Sequence, residues 1–474
     1  MRRYTRSLIG LVLLVLAACS QPTVTIVSVD FVSHKNGDVV TGSRQVQVLA
    51  RVTAPDDATV AGEHNGQALA FTRQGRDLSA TVTLADGTNV LEVEVSAAGK
   101  SDTATLALVY PFVSLEDGQA GAVVIGQLDA TTASEEAPVT MRMTEPYTRP
   151  AFMDGMLFVP DSGTHRVLVF DGVPTTAGAE AAFVVGQPDF ETLTPGLGAG
   201  GFTEPGAVVP YGDGFLVVDT QNSRVLVFDQ VPGDFGASAT RVLGQPDFAG
   251  FAPGCSATRF RTPDSATFAG DRFVLADTDN HRVLIWDRFP ADADTPADVV
   301  LGQDGFDTCE PNAGDATPGA DTLHTPQAVW SDGQRLIVAD TGNHRVLVWN
   351  EVPTASNVPA DVVIGQATFA TADPGLAADA FNWPAYLDSN GNQLFVADAD
   401  NHRVLVWDSI PTQNGQPADR VLGQPDFVSG AINQGKGVGP DTLNTPSGVH
   451  YLDGKLLVAD LNNFRYVVFE ASAD

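Results

Sequence analysis

Basic residues are scarce in this chain of 474 residues: Lys and Arg number 26 against 58 Asp and Glu, for a formal net charge of −32. Binding to a phosphate backbone needs clustered Lys and Arg, so nucleic acid is not an expected partner. The acids are spread along the chain, which favours solubility and repulsion from anionic surfaces and says nothing of the fold. Cysteine is nearly missing, with three residues and neither C-x-x-C nor C-x-x-C-H, so a thioredoxin-like site or attached haem has no support. Long apolar runs are missing too, apart from Leu8–Leu16, which is too short to span a bilayer as a mature helix. No G-x-S-x-G or H-E-x-x-H occurs. Gly430-A-I-N-Q-Gly435-Lys436 imitates most of a phosphate loop, but Gly437 stands where Ser or Thr should be.

What the chain has in abundance is repetition. A sequence of the form V-A-D-T-x-N-H-R-V-L-V-W occurs six times, anchored on Asp161, Asp219, Asp277, Asp340, Asp398 and Asp460. The matching arginines are Arg166, Arg224, Arg282, Arg345, Arg403 and Arg465, and the period is 58 to 63 residues. A fixed period of this order means a propeller, a solenoid or an array.

Each period carries four strand signals. The first follows a proline: Pro205, Pro263, Pro326, Pro384 or Pro446, with Pro146 opening a less regular first copy. The second is a short apolar run ending at the repeated aspartate, and the third is R-V-L-V-W or its equivalent. The fourth ends in Gly-Gln, at Gln127, Gln187, Gln245, Gln303, Gln366 and Gln424. Valine richness and Gly, Pro, Asn and Asp punctuation favour strands over helices. In the third strand Val346, Leu347, Val348 and Trp349 put hydrophobes on both faces, as a sheet buried on both sides requires. The first Gly-Gln strand, 123–127, precedes the first complete unit, and the last unit has none after it. The simplest closure gives 123–127 to the final unit, which also protects its outer edge. The expectation is an all-β chain with a six-bladed β-propeller over 122–474, closed in this way; a linear β-solenoid is the alternative.

The P…G-x-x-L-x-V-A-D-T-x-N-x-R-V pattern resembles the NHL repeat over about residues 122–474. The resemblance implies the propeller fold. It is weak on function, because NHL-type propellers serve as binding platforms, RNA-binding modules and, in the amidating lyases, enzymes. The repeated residues have a structural reading: Asp340 accepting backbone N–H groups of the following turn, Asn343 in a left-handed position, and Arg345 donating to carboxylates or carbonyls. The repeated His165, His281, His344 and His402 fall under the same argument, since Ser223 and Phe464 replace them in two copies.

The N-terminus supplies an address. Arg2, Arg3 and Arg6 precede the apolar core, and Leu16-Ala17-Ala18-Cys19 resembles a lipobox. That resemblance implies a lipoprotein signal over 1–18, a lipidated Cys19 and a tether over 19–22, with the outer membrane as destination in a Gram-negative cell; an ordinary signal peptide is the alternative. Residues 23–112 read as a small β-sandwich, with strands at 23–31, 45–52, 68–73, 78–84, 90–97 and 103–110 and turn signals at Asn36-Gly37, Asn65-Gly66 and Asp86-Gly87. Asp77 to Val95 resembles bacterial Ig-like domains, and 113–121 reads as a linker. Cys255 and Cys309 lie in successive loops after Gly-Gln strands, and in an exported chain they suggest a disulfide.

No catalytic constellation stands out. Candidates to line a central channel are Tyr147, Arg149, Asp264, Gln327, Tyr386 and His450. Asp277-T-Asp279-Asn280 and Asp398-A-Asp400-Asn401 hint at calcium ligands without completing an EF-hand loop, so no metal site or cofactor is expected. The expected role is a monomeric, envelope-anchored binding or scaffolding platform for a protein, peptide or glycan. The alternative is a metal-dependent hydrolase or lyase with its site in the channel.

Overall fold

A computed structural model describes residues 27–40 and 45–471. Cys19, the lipobox and the tether lie outside the described residues. The chain divides into two compact units, Met1–Val109 and Tyr110–Asp474.

The described residues of the first unit form two sheets. One orders Ser28–Phe31, Gln45–Thr53, Asp77–Thr83 and Thr72–Gln74. The other orders Asp38–Val39, Lys100–Tyr110, Gly87–Ala97, Thr59–His64 and Gln67–Ala68. Alternation decides which side chains face inward. Val29, Ala50, Val52 and Leu78 of one sheet meet Val93 and Val95 of the other in a common core. The strand Thr59–His64 carries no apolar alternation that would announce it in T-V-A-G-E-H. Its Gly62 lets the chain fold close, since a Cβ there would meet the Phe71 ring and the Leu69 carbonyl at 2.6 Å.

The second unit contains six four-stranded antiparallel sheets. The fourth is representative: Pro326–Ser331, Leu336–Asp340, Arg345–Trp349 and Val362–Ile364. The sixth combines Pro446–Leu452, Lys455–Asp460 and Arg465–Glu470 with the N-terminal strand Val123–Ile125, whose Val124 lies opposite Val467. The first sheet departs from expectation. Its opening strand is Ala151–Met153, beginning after Pro150 rather than Pro146.

Alternating residues of each strand serve different neighbours. Phe158 of the first sheet packs on Phe215 of the second, ring centroids 5.3 Å apart. Leu157 and Val159, one residue either side, join Leu457, Ala459 and Tyr466 of the sixth sheet. Every sheet is therefore sandwiched, which is why the third strands are apolar on both faces and wholly buried. The sixth sheet packs on the first, so the sheets close on themselves in the manner of a β-propeller.

The segment 113–121, expected as a linker, is instead tied along the second unit. Val113 and Leu115 are buried. The Gln393 side chain accepts from the Val113 N–H at 2.8 Å and donates to its carbonyl at 3.0 Å. Asp117 accepts from the Val421 N–H, and the Gln119 amide donates to the Glu470 carbonyl.

The repeated motif forms the same turn six times. Asp340 and Arg345 face one another where second and third strands end, with a one-turn 3₁₀ helix Thr341–Asn343 between them. Arg345 Nε donates to Asp340 Oδ2 at 2.6 Å, both side chains fully buried. Its other nitrogens donate to the carbonyls of Phe369, Gly319 and Thr322. Two details differ from the sequence reading. Asp340 Oδ1 accepts from the His324 N–H, upstream, and not from the turn that follows. The left-handed residue is His344, at φ 51°, while Asn343 donates through Nδ2 to Asp340 at 2.8 Å.

Such a pair is sustained by satisfaction of its donors and acceptors. Removing one partner leaves a buried, uncompensated charge and costs about 3–5 kcal/mol. Arg345→Met should lower the stability of the second unit by that order. Chemical unfolding followed by tryptophan fluorescence reads it cleanly, since Trp286, Trp330, Trp349, Trp383 and Trp407 all lie in this unit. A loss under about 1 kcal/mol would show that the pair does not hold the turn.

Candidate functional site

The first strands of the six sheets lie closest together, and their side chains meet across the ring. The Gln327 amide of the fourth sheet donates to the hydroxyl of Tyr147, which precedes the first sheet, at 2.8 Å. Tyr386 of the fifth sheet shares a hydrogen bond with Ser265 of the third at 3.0 Å, skipping the fourth between them. Only residues near an axis can make such contacts. Five of the six expected channel residues thus enter two polar clusters or this pair, and Asp264 joins the first cluster by lining the same cavity as Tyr147 and Gln327.

The local backbone explains why these side chains point inward. In five of the copies the residue before the first-strand proline has positive φ: Glu204 49°, Thr262 42°, Thr325 52°, Trp383 62° and Thr445 56°. Non-glycine residues adopt this conformation at a cost, so something must hold it. The repeated histidines do. His165, His281, His344 and His402 accept through Nδ1 from the N–H of Glu204, Thr325, Trp383 and Thr445 of the next sheet, at 3.0 to 3.2 Å. Ser223 Oγ does the same for Thr262 at 3.3 Å. Burial lowers the basicity of all four histidines, in keeping with a neutral ring whose Nδ1 is an acceptor. The carbonyls of these same residues receive the amide of the repeated Gln187, Gln245, Gln303, Gln366 and Gln424.

After the proline the pairing register slips, between Pro326 and Ala328, Pro384 and Tyr386, and Pro446 and Gly448. A bulge re-aims the side chain it displaces. The position it displaces is held by Gln327, Ala385 and Ser447, and in the other copies by Tyr147, Gly206 and Asp264. The large polar residues belong to the first, third and fourth copies, while the adjacent fifth and sixth carry only Ala385 and Ser447, so the ring is one-sided.

On the polar side a cavity of about 320 Å³ opens, lined by Tyr147, Asp264 and Gln327, by turn residues Ser162, Thr220, Thr278 and Asp279, and by Glu145, Glu204, Thr262 and Thr325. Every charged residue that lines it is acidic. Burial, followed by the charge of Asp279, pushes the Asp264 carboxyl up to about 7. Burial, then Glu204 and Asp161, raises Glu145. Burial and Asp264 raise the Tyr147 hydroxyl, which stays protonated.

A second cluster lies further along the first strands. His450 Nδ1 is 2.8 Å from Asp388 Oδ2 and 3.1 Å from Arg149 Nε. Arg149 is also 3.9 Å from Asp388 Oδ1. Burial works against the Asp388 charge, but Arg149 and His450 outweigh it and hold the carboxyl below its ordinary value. Burial, with Arg149 adding to it, holds His450 neutral. Tyr386 is pushed up to about 12, chiefly by burial. Asp388 is absent from the sequence reading: in Y-L-D-S it looks like the polar end of a strand, and only the register, opposite Phe395, shows it inside.

The remaining expected residues serve the scaffold. Asp277 is consumed by Arg282 and Asn280, while Asp279 faces the cavity, so this segment is not a calcium loop. Among the described residues no three His, Cys, Asp or Glu side chains converge as metal ligands. Cys255 and Cys309 are joined in a disulfide between successive loops.

No protein-family profile matches the chain. A chicken (Gallus gallus) protein described as NHL repeat-containing protein 2 is 36% identical over 76 residues, which is 16% of this chain and 10% of that protein. This chain therefore spans about a tenth of the length of that relative. Among solved structures, one described as a putative phosphatase from Bacteroides thetaiotaomicron covers 95% of this chain and 98% of its own at 12% identity, with a TM-score of 0.45. A computationally designed protein, Ika8, covers 74% of this chain at 13% identity and a TM-score of 0.35.

The elevated Asp264 carboxyl has a consequence for stability. Its folded value of about 7 lies above the ordinary 3.8, so folding favours the protonated form. That contribution is complete below about pH 3.8 and is lost as pH rises through 7. Asp264→Asn removes the penalty of a buried charge. The stability difference, variant minus parent, should move in the variant's favour by about 2–3 kcal/mol between pH 5 and pH 8.5. Urea unfolding at the two pH values measures it. A pH-independent difference would show that the carboxyl is not held protonated.

Proposed function

We propose that this chain is a six-bladed, NHL-type propeller that acts as a binding platform, with its ligand seated over the cavity at Tyr147, Asp264 and Gln327. The observation that carries this reading is the one-sidedness of the ring. Six nearly identical turns build a uniform scaffold, yet the residue after each proline differs from copy to copy, and an open polar cavity results on one side. A purely structural ring has no use for that asymmetry. Variable groups on a rigid scaffold are where recognition sits. The short NHL-type match supports the repeat and leaves the ligand open.

The reading extends to location. Arg2, Arg3 and Arg6, the apolar run and Leu16-Ala17-Ala18-Cys19 support export and lipid attachment at Cys19. The lipid would anchor the chain to the cell envelope, at the outer membrane in a Gram-negative cell. The two-sheet first unit, proposed as Ig-like, would act as a spacer. A disulfide between Cys255 and Cys309 accords with an oxidising compartment.

Two measurements in a bacterial host test this. Metabolic labelling with an alkynyl fatty acid should mark the chain, and Cys19→Ala should abolish the label; equal labelling of both would remove the anchor. A photo-crosslinking residue placed at Gln221, on the cavity rim, should trap a discrete partner in intact cells, and one placed at Gly75 of the first unit should not. Identical trapping at both positions would count against a platform on this face.

A further inference from the structure

The cavity is uniform in sign, and its wall holds buried polar atoms without a partner: the Gln327 amide oxygen and the Thr220 and Thr262 hydroxyls. Gln327 is 8% exposed, and its Nε2 is used by Tyr147, but its Oε1 has no hydrogen-bond partner. A buried polar atom without a partner costs about 1–3 kcal/mol, so its persistence at a cavity wall points to a donor supplied from outside. Beside it stands the carboxyl of Asp264, 7% exposed, in the same wall. Glu145, Glu204 and Asp279 complete the acidic surround, and no Lys or Arg lines the space.

We propose that this cavity binds a primary ammonium group, with Asp264 as counter-ion and Gln327 Oε1 as a second acceptor. The inference rests on the platform reading above and names the chemistry of the ligand. A primary ammonium is a compact charge with three N–H donors and no acceptor, which suits a pocket that offers acceptors and negative charge. A bare metal ion suits it less. Hard cations need several oxygen ligands converging within about 2.6 Å; among the described residues no three carboxylates converge in that way, and the space of about 320 Å³ leaves room for an alkyl chain behind the nitrogen. Pairing with a cation also accounts for a carboxyl kept in a site where burial alone favours its neutral form.

Two sources carry this chemistry: a free alkylamine or polyamine, and a lysine side chain of a partner protein. Calorimetric titration of the full-length chain in detergent, at pH 8 and fixed ionic strength, distinguishes them. The probes are n-butylamine, spermidine, Nα-acetyl-lysine amide, a lysine-containing decapeptide, and n-butanol as the neutral control. Saturable binding of the amines, with no binding of butanol, is expected. Binding of the peptide alone would assign the site to a protein partner, and binding of the free amines would assign it to small ligands. Asp264→Asn should weaken binding at least tenfold, and Gln327→Leu about threefold to tenfold; both should keep the parent's circular dichroism. Affinity should fall roughly tenfold per pH unit below about pH 7 as Asp264 takes up its proton, with Glu145, Glu204, Asp279 and Tyr147 the other titratable groups facing it. Absence of binding by every amine, or equal binding by butanol or by Asp264→Asn, overturns the proposal. Crosslinking from Gln221 separates the two readings: a partner trapped equally by the Asp264→Asn chain leaves the platform standing without the ammonium site.

Discussion

The buried pair of aspartate and arginine is the constraint on which the second unit depends. In five sheets the Arg Nε lies 2.6 to 2.8 Å from the Asp oxygen, with both side chains fully buried. A charge pair in that position is worth having only if its donors and acceptors are largely used. Here the Asp takes a backbone N–H and an Asn amide as well as the Arg Nε–H, and three more of the five guanidinium N–H groups go to carbonyls from two different loops. One side chain thereby fixes a turn, the loop before the sheet and the loop after it. In the first sheet Thr164 replaces the Asn, and the Arg166–Asp161 distance opens to 3.5 Å. The irregular copy is the one whose network is incomplete.

The same interaction closes the ring. Arg465 donates to the carbonyl of Ala130, 335 residues earlier, and Gln127 donates to that of Phe464. Strand Val123–Ile125 is thus held by the contacts that hold every other outer strand, even though it comes from the opposite end of the chain. Closure here needs no special device; it reuses the repeat across a break in the covalent chain. Phe464, unlike the histidines, has no ring nitrogen to offer the next sheet, and at that junction the first sheet's Glu145 has no left-handed conformation to be held. Its N–H goes to Asp161 instead.

This division shows what the sequence makes legible. Period, strand identity, the repeated Asp and Arg positions and the pairing of the outer strand follow from spacing, because each repeats and repetition filters out accident. The role of the histidines does not, since their acceptor function points into the next sheet and depends on a left-handed pre-proline residue that no composition announces. Asp388 escapes for a related reason: it belongs to one copy only, and its inward direction follows from register and not from hydrophobic pattern. Tyr147, Asp264 and Gln327 could be named as channel candidates from their place after proline, but the register slip that turns them toward one cavity could not. The segment 113–121 misleads because its polar residues look like a hinge, while Val113 and Leu115 alternate into the core.

A uniform repeat and a specific site make opposite demands on the same residues. Uniformity is strongest where each sheet must solve an identical problem, at the Asp–Arg turn and the buried third strand. It is weakest at the position after the proline, which faces the axis. Change there leaves the scaffold's hydrogen bonds intact, because the strained backbone is pinned from behind by the histidine of the preceding sheet and not by the side chain that varies. Glycine at 206 tolerates nothing larger, as a Cβ would come within 2.6 Å of the Asp264 carbonyl. That close approach seats Asp264 against the cavity wall, next to Gln327. Variation at one position in six copies thus concentrates polarity on one side of the axis, and it does so without disturbing the contacts that make the ring.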